Sequence, residues 1–346
     1  MRLSPLPRRL PIADPSAIRL CAVVVTVCAA LFTAPARAPL AAQAPAAAPA
    51  PETAASQAHV DAARRLAGAD PWLQQPFDFY CVAGRARAND PAAPAMEPTK
   101  LFDNLYALGN SEATVYAVTT SGGIVLIDSG YTDQVETVVV PGLRALGLDP
   151  AQVKYVLVGH GHGDHFGGAR YFQERGARVG LSAADWELVQ PATTPATAPA
   201  QPRPTRDLVL AEGQPVTLGE QTITPVLIPG HTPGSLAFTF QVRDGRQVHV
   251  AGLFGGTILT SGRITTPGLR QYVASIDHYL SVARRERVDV EVQNHPLFDD
   301  MAGRLAATRA RKAGAPHPFV VGRDRYVRFW SIVSECMQAE LARRVS

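Results

Sequence analysis

An apolar run that stops dead in a loop of metal-binding side chains constrains this chain more than any other feature. From Val156 to Gly168 the sequence reads Val-Leu-Val-Gly-His-Gly-His-Gly-Asp-His-Phe-Gly-Gly, with His160, His162, Asp164 and His165 inside six residues. Val153 to Val158 is β-branched and aromatic enough for a buried strand, so these four side chains stand at a strand end. Glycines at 159, 161 and 163 let the backbone fold tightly around an ion. Residues two apart in an extended segment face the same way, which sends His160 and His162 to one point. Asp164 and His165 begin the following turn and address a second point beside it. Three imidazoles and a carboxylate without a thiolate suit zinc ahead of iron, manganese or cobalt. A purely structural role is the weaker reading of so dense a cluster.

The rest of the chain must bury a core around that loop, and its composition allows it. Of 346 residues 46% are hydrophobic and 18% charged, as in a globular domain. A net charge of +3 is small, and no Lys/Arg block with interleaved aromatics occurs, which argues against nucleic acid as a partner. The N-terminus has the layout of a secretory signal: Arg2, Arg8, Arg9 and Arg19, an apolar run from Leu20 to Phe32, then small-residue cleavage sites after Ala38, Ala42 or Ala44. That run is short against the roughly 20 residues of a transmembrane helix, so cleavage is expected over an uncleaved anchor. Pro39 and Pro45 disfavour the outer two sites and place cleavage after Ala42. The mature protein is then exported, to the periplasm, without a stable membrane span. Cys21 and Cys28 leave with the signal, and Cys81 and Cys336 remain, either as one disulfide or as two buried thiols.

Read in order, residues 1–42 are the signal peptide, 43–70 an Ala/Pro-rich linker with a short helix from His59 to Leu66, and 71–346 the main domain. Asp70 to Phe77 is an irregular arm whose aromatics lie over the domain, bordering a cleft or simply packing. Strands are expected over Asn104–Leu108, Thr114–Thr119 and Gly123–Asp128, with helical spacing broken by a proline over Thr132–Leu146. After the histidine loop come a helix at Gly168–Glu174, a strand at Arg178–Leu181 and a helix capped by Ser182. Residues 190–206 form a long loop, expected to be disordered. The second half repeats the scheme, with strands at Leu208–Leu210, Thr222–Ile228, Leu236–Val242, Gln247–Ala251 and Val288–Gln293 and a helix at Leu269–Arg285. The pattern supports a mixed α/β domain with two sheet-and-helix halves.

Two more histidines stand at strand ends in stiff turns. His231 lies in Ile-Pro-Gly-His-Thr-Pro-Gly from 228 to 234, and His295 follows the strand from Val288 and is fixed by Pro296. His59, His249, His278 and His317 lack such settings and read as structural.

Taken together, the motifs over 160–165, 229–235 and 294–296 resemble the signature of the metallo-β-lactamase superfamily across residues 101 to about 345. The resemblance implies a four-layer αββα sandwich. It implies that His160, His162 and His231 hold one zinc and Asp164, His165 and His295 a second, two per chain, each with an open position for a shared water. Asp128 would support the loop from beneath, or merely cap a turn. Lactonases, glyoxalase-type thioesterases and many phosphodiesterases of this superfamily carry a metal-bridging aspartate where this chain reads Gly252, Leu253, Phe254. Its absence, with His165 among the ligands, resembles the third subclass of class B β-lactamases. The activity implied is opening of the β-lactam amide by a metal-bound hydroxide, with Asp164 both a ligand and the group that orients the attack. Another small ester, lactone or amide is the alternative substrate, and a non-catalytic zinc-binding protein the alternative class. Two departures stand out. Leu253 and Gly255 replace the hydroxyl residues that usually receive the substrate carboxylate in that branch, with Thr257 as the candidate substitute. Gly159 replaces the usual Ser or Thr before the first histidine, a change expected to alter loop hydrogen bonding and not the ligands.

Overall fold

A computed structural model describes residues 52–82, 93–190, 202–257 and 264–345. The expected signal peptide, its cleavage sites and most of the 190–206 loop lie outside these residues.

Among the described residues the chain runs α1 (Ala54–Ala67), α2 (Pro71–Phe77), β1 (Thr99–Phe102), β2 (Leu105–Gly109), β3 (Thr114–Thr120) and β4 (Gly123–Ile127). It continues with α3 (Val140–Ala145), β5 (Val153–Leu157), α4 (Gly163–Phe166), α5 (Ala169–Gln173), β6 (Arg178–Ser182) and α6 (Ala183–Val189). The second half holds β7 (Leu208–Leu210), β8 (Val216–Leu218), β9 (Gln221–Leu227), β10 (Leu236–Asp244), β11 (Gln247–Phe254), α7 (Thr266–Glu286), β12 (Val290–Val292), α8 (Met301–Arg309) and α9 (Arg323–Arg344). One sheet has the order β1 to β7, antiparallel to β4 and parallel beyond it. The other runs β12-β11-β10-β9-β8, with only β11 and β12 parallel.

Side-chain parity along each strand builds the layers. In β3, Tyr116 and Val118 join a cluster between the sheets with Phe238 and Phe240 of β10, whereas Val115 and Ala117 face α3 and Trp186 of α6 on the far side. In the second sheet Ala237 and Phe254 face outward against Tyr272 and Tyr279 of α7 and Trp330 of α9. Helices, sheet, sheet and helices therefore stack in the four-layer sandwich that the motifs implied. Each sheet is covered on both faces, which is why its strands carry so few polar residues. Among the described residues no helix is long and apolar enough to cross a membrane.

Three local expectations need correction. The short helix expected from His59 to Leu66 within a linker is longer, α1 over Ala54–Ala67, capped by Thr53 and buried through Val60, Ala63 and Ala67 in the cluster that also holds α9. Alanine-rich sequence reads as low complexity, yet alanine is the best helix former and its small side chain lets helices approach closely. Leu208–Leu210 does not open the second sheet; it pairs parallel with Gly180–Ser182 and completes the first. β1, β8 and α8 were not foreseen, the two strands being too short for periodicity to register. The arm's aromatics pack on the domain, as expected: Trp72 stacks on Phe329, and Phe79 and Tyr80 meet the ring of Phe298. A Cys81–Cys336 disulfide fastens its end to α9. Tyr326, Phe329, Trp330, Val333 and Met337 form the buried face of that helix, as their spacing predicts.

Candidate metal centre

All six side chains singled out in the sequence meet at one end of the sandwich, where β5, β9 and β12 stop. His160 and His162 precede α4, Asp164 and His165 lie within it, His231 follows β9 and His295 follows β12. They form two triangles. His160 Nε2, His162 Nδ1 and His231 Nε2 lie 3.1, 3.0 and 3.1 Å from one another. His165 Nε2 is 3.1 Å from His295 Nε2 and 3.3 Å from Asp164 Oδ2, with 3.8 Å closing the set. The rings of His160 and His165 adjoin, with centroids 4.1 Å apart.

Backbone and carboxylate acceptors decide which ring nitrogens carry hydrogen. His160 Nδ1 donates to Gly255 O at 2.5 Å, His295 Nδ1 to Glu112 O at 2.6 Å, and His165 Nδ1 to Asp128 Oδ2 at 2.7 Å. In the neutral ring each therefore has its Nε2 lone pair aimed into its triangle. Neutral nitrogens converging at 3 Å repel unless a cation stands between them. Three imidazole nitrogens gathered this closely are the donor set that would hold zinc or a similar divalent ion.

Asp128 is the keystone beneath the loop. It ends β4 with φ +60°, a left-handed conformation that Asp tolerates better than most residues. One oxygen accepts from Gly159 N at 2.7 Å; the other accepts from His165 and, at 3.3 Å, from Asn294 Nδ2. Asn294 also donates to Gly255 O at 3.0 Å, so one amide joins the supports of His160 and His165.

Burial sets the charge states. It holds His160 and His231 well below the ordinary imidazole value, helped by neighbouring rings, and brings His295 to about 4, so these stay neutral ligands. Burial also lowers His162, against the pull of Asp164. Burial raises Asp164, but the rings of His165 and His295 reverse this and hold it well below the usual carboxylate range. Burial disfavours charge on His165, yet Asp164 and Asp128 outweigh it and carry the ring up to about 10. A proton and a metal ion compete for that one lone pair.

Family comparison accounts for this arrangement. Residues 108–245 match the model of the metallo-β-lactamase superfamily. A hydroxyacylglutathione hydrolase of Cereibacter sphaeroides is 37% identical over 192 residues, spanning 51% of this chain and 67% of that protein. The chain belongs to the metallo-β-lactamase superfamily. A second hydroxyacylglutathione hydrolase, from Acidiphilium cryptum, is 30% identical over 50% of this chain and 69% of its own length. Among solved structures, BJP-1, a subclass B3 metallo-β-lactamase of Bradyrhizobium japonicum, superposes with a TM-score of 0.60 at 28% identity, covering 73% of this chain and 96% of that one. The Rm3 metallo-β-lactamase gives 0.58 at 26% identity, over 68% and 90%. A metallo-β-lactamase fold implies divalent metal binding, and the first triangle is the natural place for it.

The other four histidines bind elsewhere: His59 to Glu335, His249 to Asp289, His278 to Glu212 and His317 to Leu101 O. The positions expected to receive a substrate carboxylate do not open onto the site. Leu253 is fully buried in the cluster between the sheets, so it is not a wall residue. At Gly255 a Cβ would meet Leu236 O at 2.4 Å and Gly159 Cα at 2.9 Å, so no side chain fits there. At Gly159 a Cβ would lie 3.1 Å from Gly255 Cα and 3.3 Å from Gly255 O, so a side chain there would press on this close backbone approach. Thr257 is buried, and its hydroxyl is spent on Phe254 O and Gln293 Oε1, both at 3.3 Å. Parity along β11 could have placed Leu253 inward; nothing local marks the supporting carbonyls of Gly255 and Glu112.

Proposed function

We propose that this protein is an exported, zinc-dependent hydrolase that opens the amide of β-lactams. In this reading His160, His162 and His231 hold one zinc and Asp164, His165 and His295 the other. One observation carries the choice of substrate class: six donors complete two triads while the end of β11 offers no carboxylate to bridge them, since Leu253 is core and Gly255 has no room for a side chain. The likeness to the subclass B3 enzyme BJP-1 at 28% identity and to the Rm3 metallo-β-lactamase at 26% supports the same reading. A second reading, thioester hydrolysis, rests on the relatives named hydroxyacylglutathione hydrolase. Export is supported by the signal-like N-terminus and by the disulfide, a bond that persists in oxidising compartments.

Bound zinc supplies Lewis acidity toward the carbonyl and a water acidified to a pKa near ~7. The chain supplies placement. Asp164, kept ionised, accepts a hydrogen bond from the attacking water and aims it at the carbonyl carbon. Gly255 O, Glu112 O and Asp128 fix the ring orientations, so the donors are arranged before substrate arrives. With no hydroxyl available on β11, the substrate carboxylate is held weakly and KM is high.

Dialysed protein is expected to retain about two zinc ions per chain, one per triad, by elemental analysis. A chelator should abolish penicillin hydrolysis and added zinc restore it. Full activity at less than one ion per chain would refute the dinuclear reading.

A further inference from the structure

We infer that Asp185, a residue of α6 outside both triads, is the positioning residue of the first metal site. It clamps together the two loops that supply His160, His162 and His231. Its carboxylate is fully buried and acts on both loops at once. Oδ2 accepts from Gly161 N at 2.7 Å, the peptide between His160 and His162. The same oxygen accepts from Thr232 Oγ1 at 2.7 Å, and Oδ1 accepts from Gly234 N at 2.8 Å, both in the turn that holds His231. Thr232 and Gly161 are 71 positions apart in sequence, and this carboxylate is the group that sets their separation.

The surroundings are cut to this use. Ser182 caps α6 by accepting from Asp185 N at 3.2 Å, which fixes the direction of the side chain. Ser235 Oγ stands 2.7 Å from Thr232 Oγ1 and accepts from Thr232 N, so the threonine hydroxyl is turned toward Asp185. At Gly234 a Cβ would strike Ser182 Oγ at 2.0 Å and Asp185 N at 2.7 Å, so the turn can lie against α6 only as glycine. All three partners donate, and a carboxylate needs no proton to satisfy them. Among the described residues the hydrogen-bond donors on the carboxylate are Gly161 N, Thr232 Oγ1 and Gly234 N, all neutral, so a cation held by the three histidines beyond the clamped loops would offset its charge. A buried anion on this side makes the first triangle more attractive to a divalent ion than three neutral imidazoles alone.

This inference rests on the metal-site reading above, and the test separates the two. Asp164→Ala protein keeps only the first triad, so its zinc dissociation constant is measured by competition with a chromophoric chelator, with and without Asp185→Asn. Loss of the clamp should weaken binding about 10- to 100-fold, the usual effect of removing an outer-sphere partner. Thr232→Val should weaken it in the same direction, and Thr232→Ser should restore it, which also serves if Asp185→Asn fails to fold. Cobalt substitution should show a changed visible spectrum in the variants, a signature that a purely structural carboxylate would not move. Unchanged affinity in both Asp185→Asn and Thr232→Val, or a lower melting temperature of metal-free protein with unchanged affinity, would overturn the clamp alone. A parent protein that takes up no zinc would overturn the metal reading itself.

Discussion

Replacing Asp164 by alanine is expected to lower kcat/KM for β-lactam hydrolysis by about 100- to 10,000-fold, the range over which positioned acid-base groups act. Zinc should fall from about two ions per chain to about one. Both effects come from one side chain, because Asp164 is buried with Oδ2 3.3 Å from His165 Nε2 and 3.8 Å from His295 Nε2, and it is the carboxylate that completes this triangle. Asparagine keeps the shape but loses the charge, so Asp164→Asn should lose rate nearly as far while holding more metal. Steady-state kinetics with elemental analysis on the same samples checks this. Two ions and near-normal rates in the alanine variant would remove Asp164 from the mechanism.

The second large effect is on stability. Arg304→Met is expected to destabilise the fold by about 3–5 kcal/mol, the cost of leaving buried charges without their partner. Arg304 is buried on α8; Nη1 donates to Glu291 Oε2 at 2.6 Å and Asp299 Oδ2 at 2.8 Å, and its plane lies over Phe319. Glu291 belongs to β12 and Asp299 follows the His295 turn, so this cation pins both ends of the segment carrying His295. Burial, then Glu291, pushes Asp299 well above the usual carboxylate range. A carboxyl raised in the folded state contributes fully below its unfolded value near ~4, and that contribution is lost as pH rises toward the folded value. Without Arg304, whose charge draws the Asp299 pKa down, Asp299 favours its proton more strongly, so the deficit should be larger at pH 8 than at pH 5. Denaturant unfolding at the two pH values measures it, and a loss under 1 kcal/mol at both would show the triad to be dispensable.

How much of this was legible beforehand follows from what sequence carries locally. The 160–165 loop announces itself because donors, glycines and a preceding apolar strand lie within thirteen residues. His231 and His295 were found by the same strand-end, proline-stiffened setting. Asp185 was passed over because nothing in a short helix records that its carboxylate reaches a loop 24 positions back and a turn 47 positions ahead. β7 was placed in the wrong sheet because a three-residue strand has no periodicity that names its neighbour. The pairing of Gly159 with Gly255 is a contact between two backbones, so only the structure shows that the missing hydroxyls leave no vacant space behind.

The central claim is most directly tested by comparing kcat/KM for penicillins, cephalosporins and carbapenems with that for acylglutathione thioesters and acyl lactones, on one zinc-loaded preparation with a chelator control. The account predicts chelator-sensitive β-lactam turnover, at high KM, that exceeds thioester and lactone turnover. Hydrolysis of acylglutathione thioesters or lactones far above every β-lactam would contradict it.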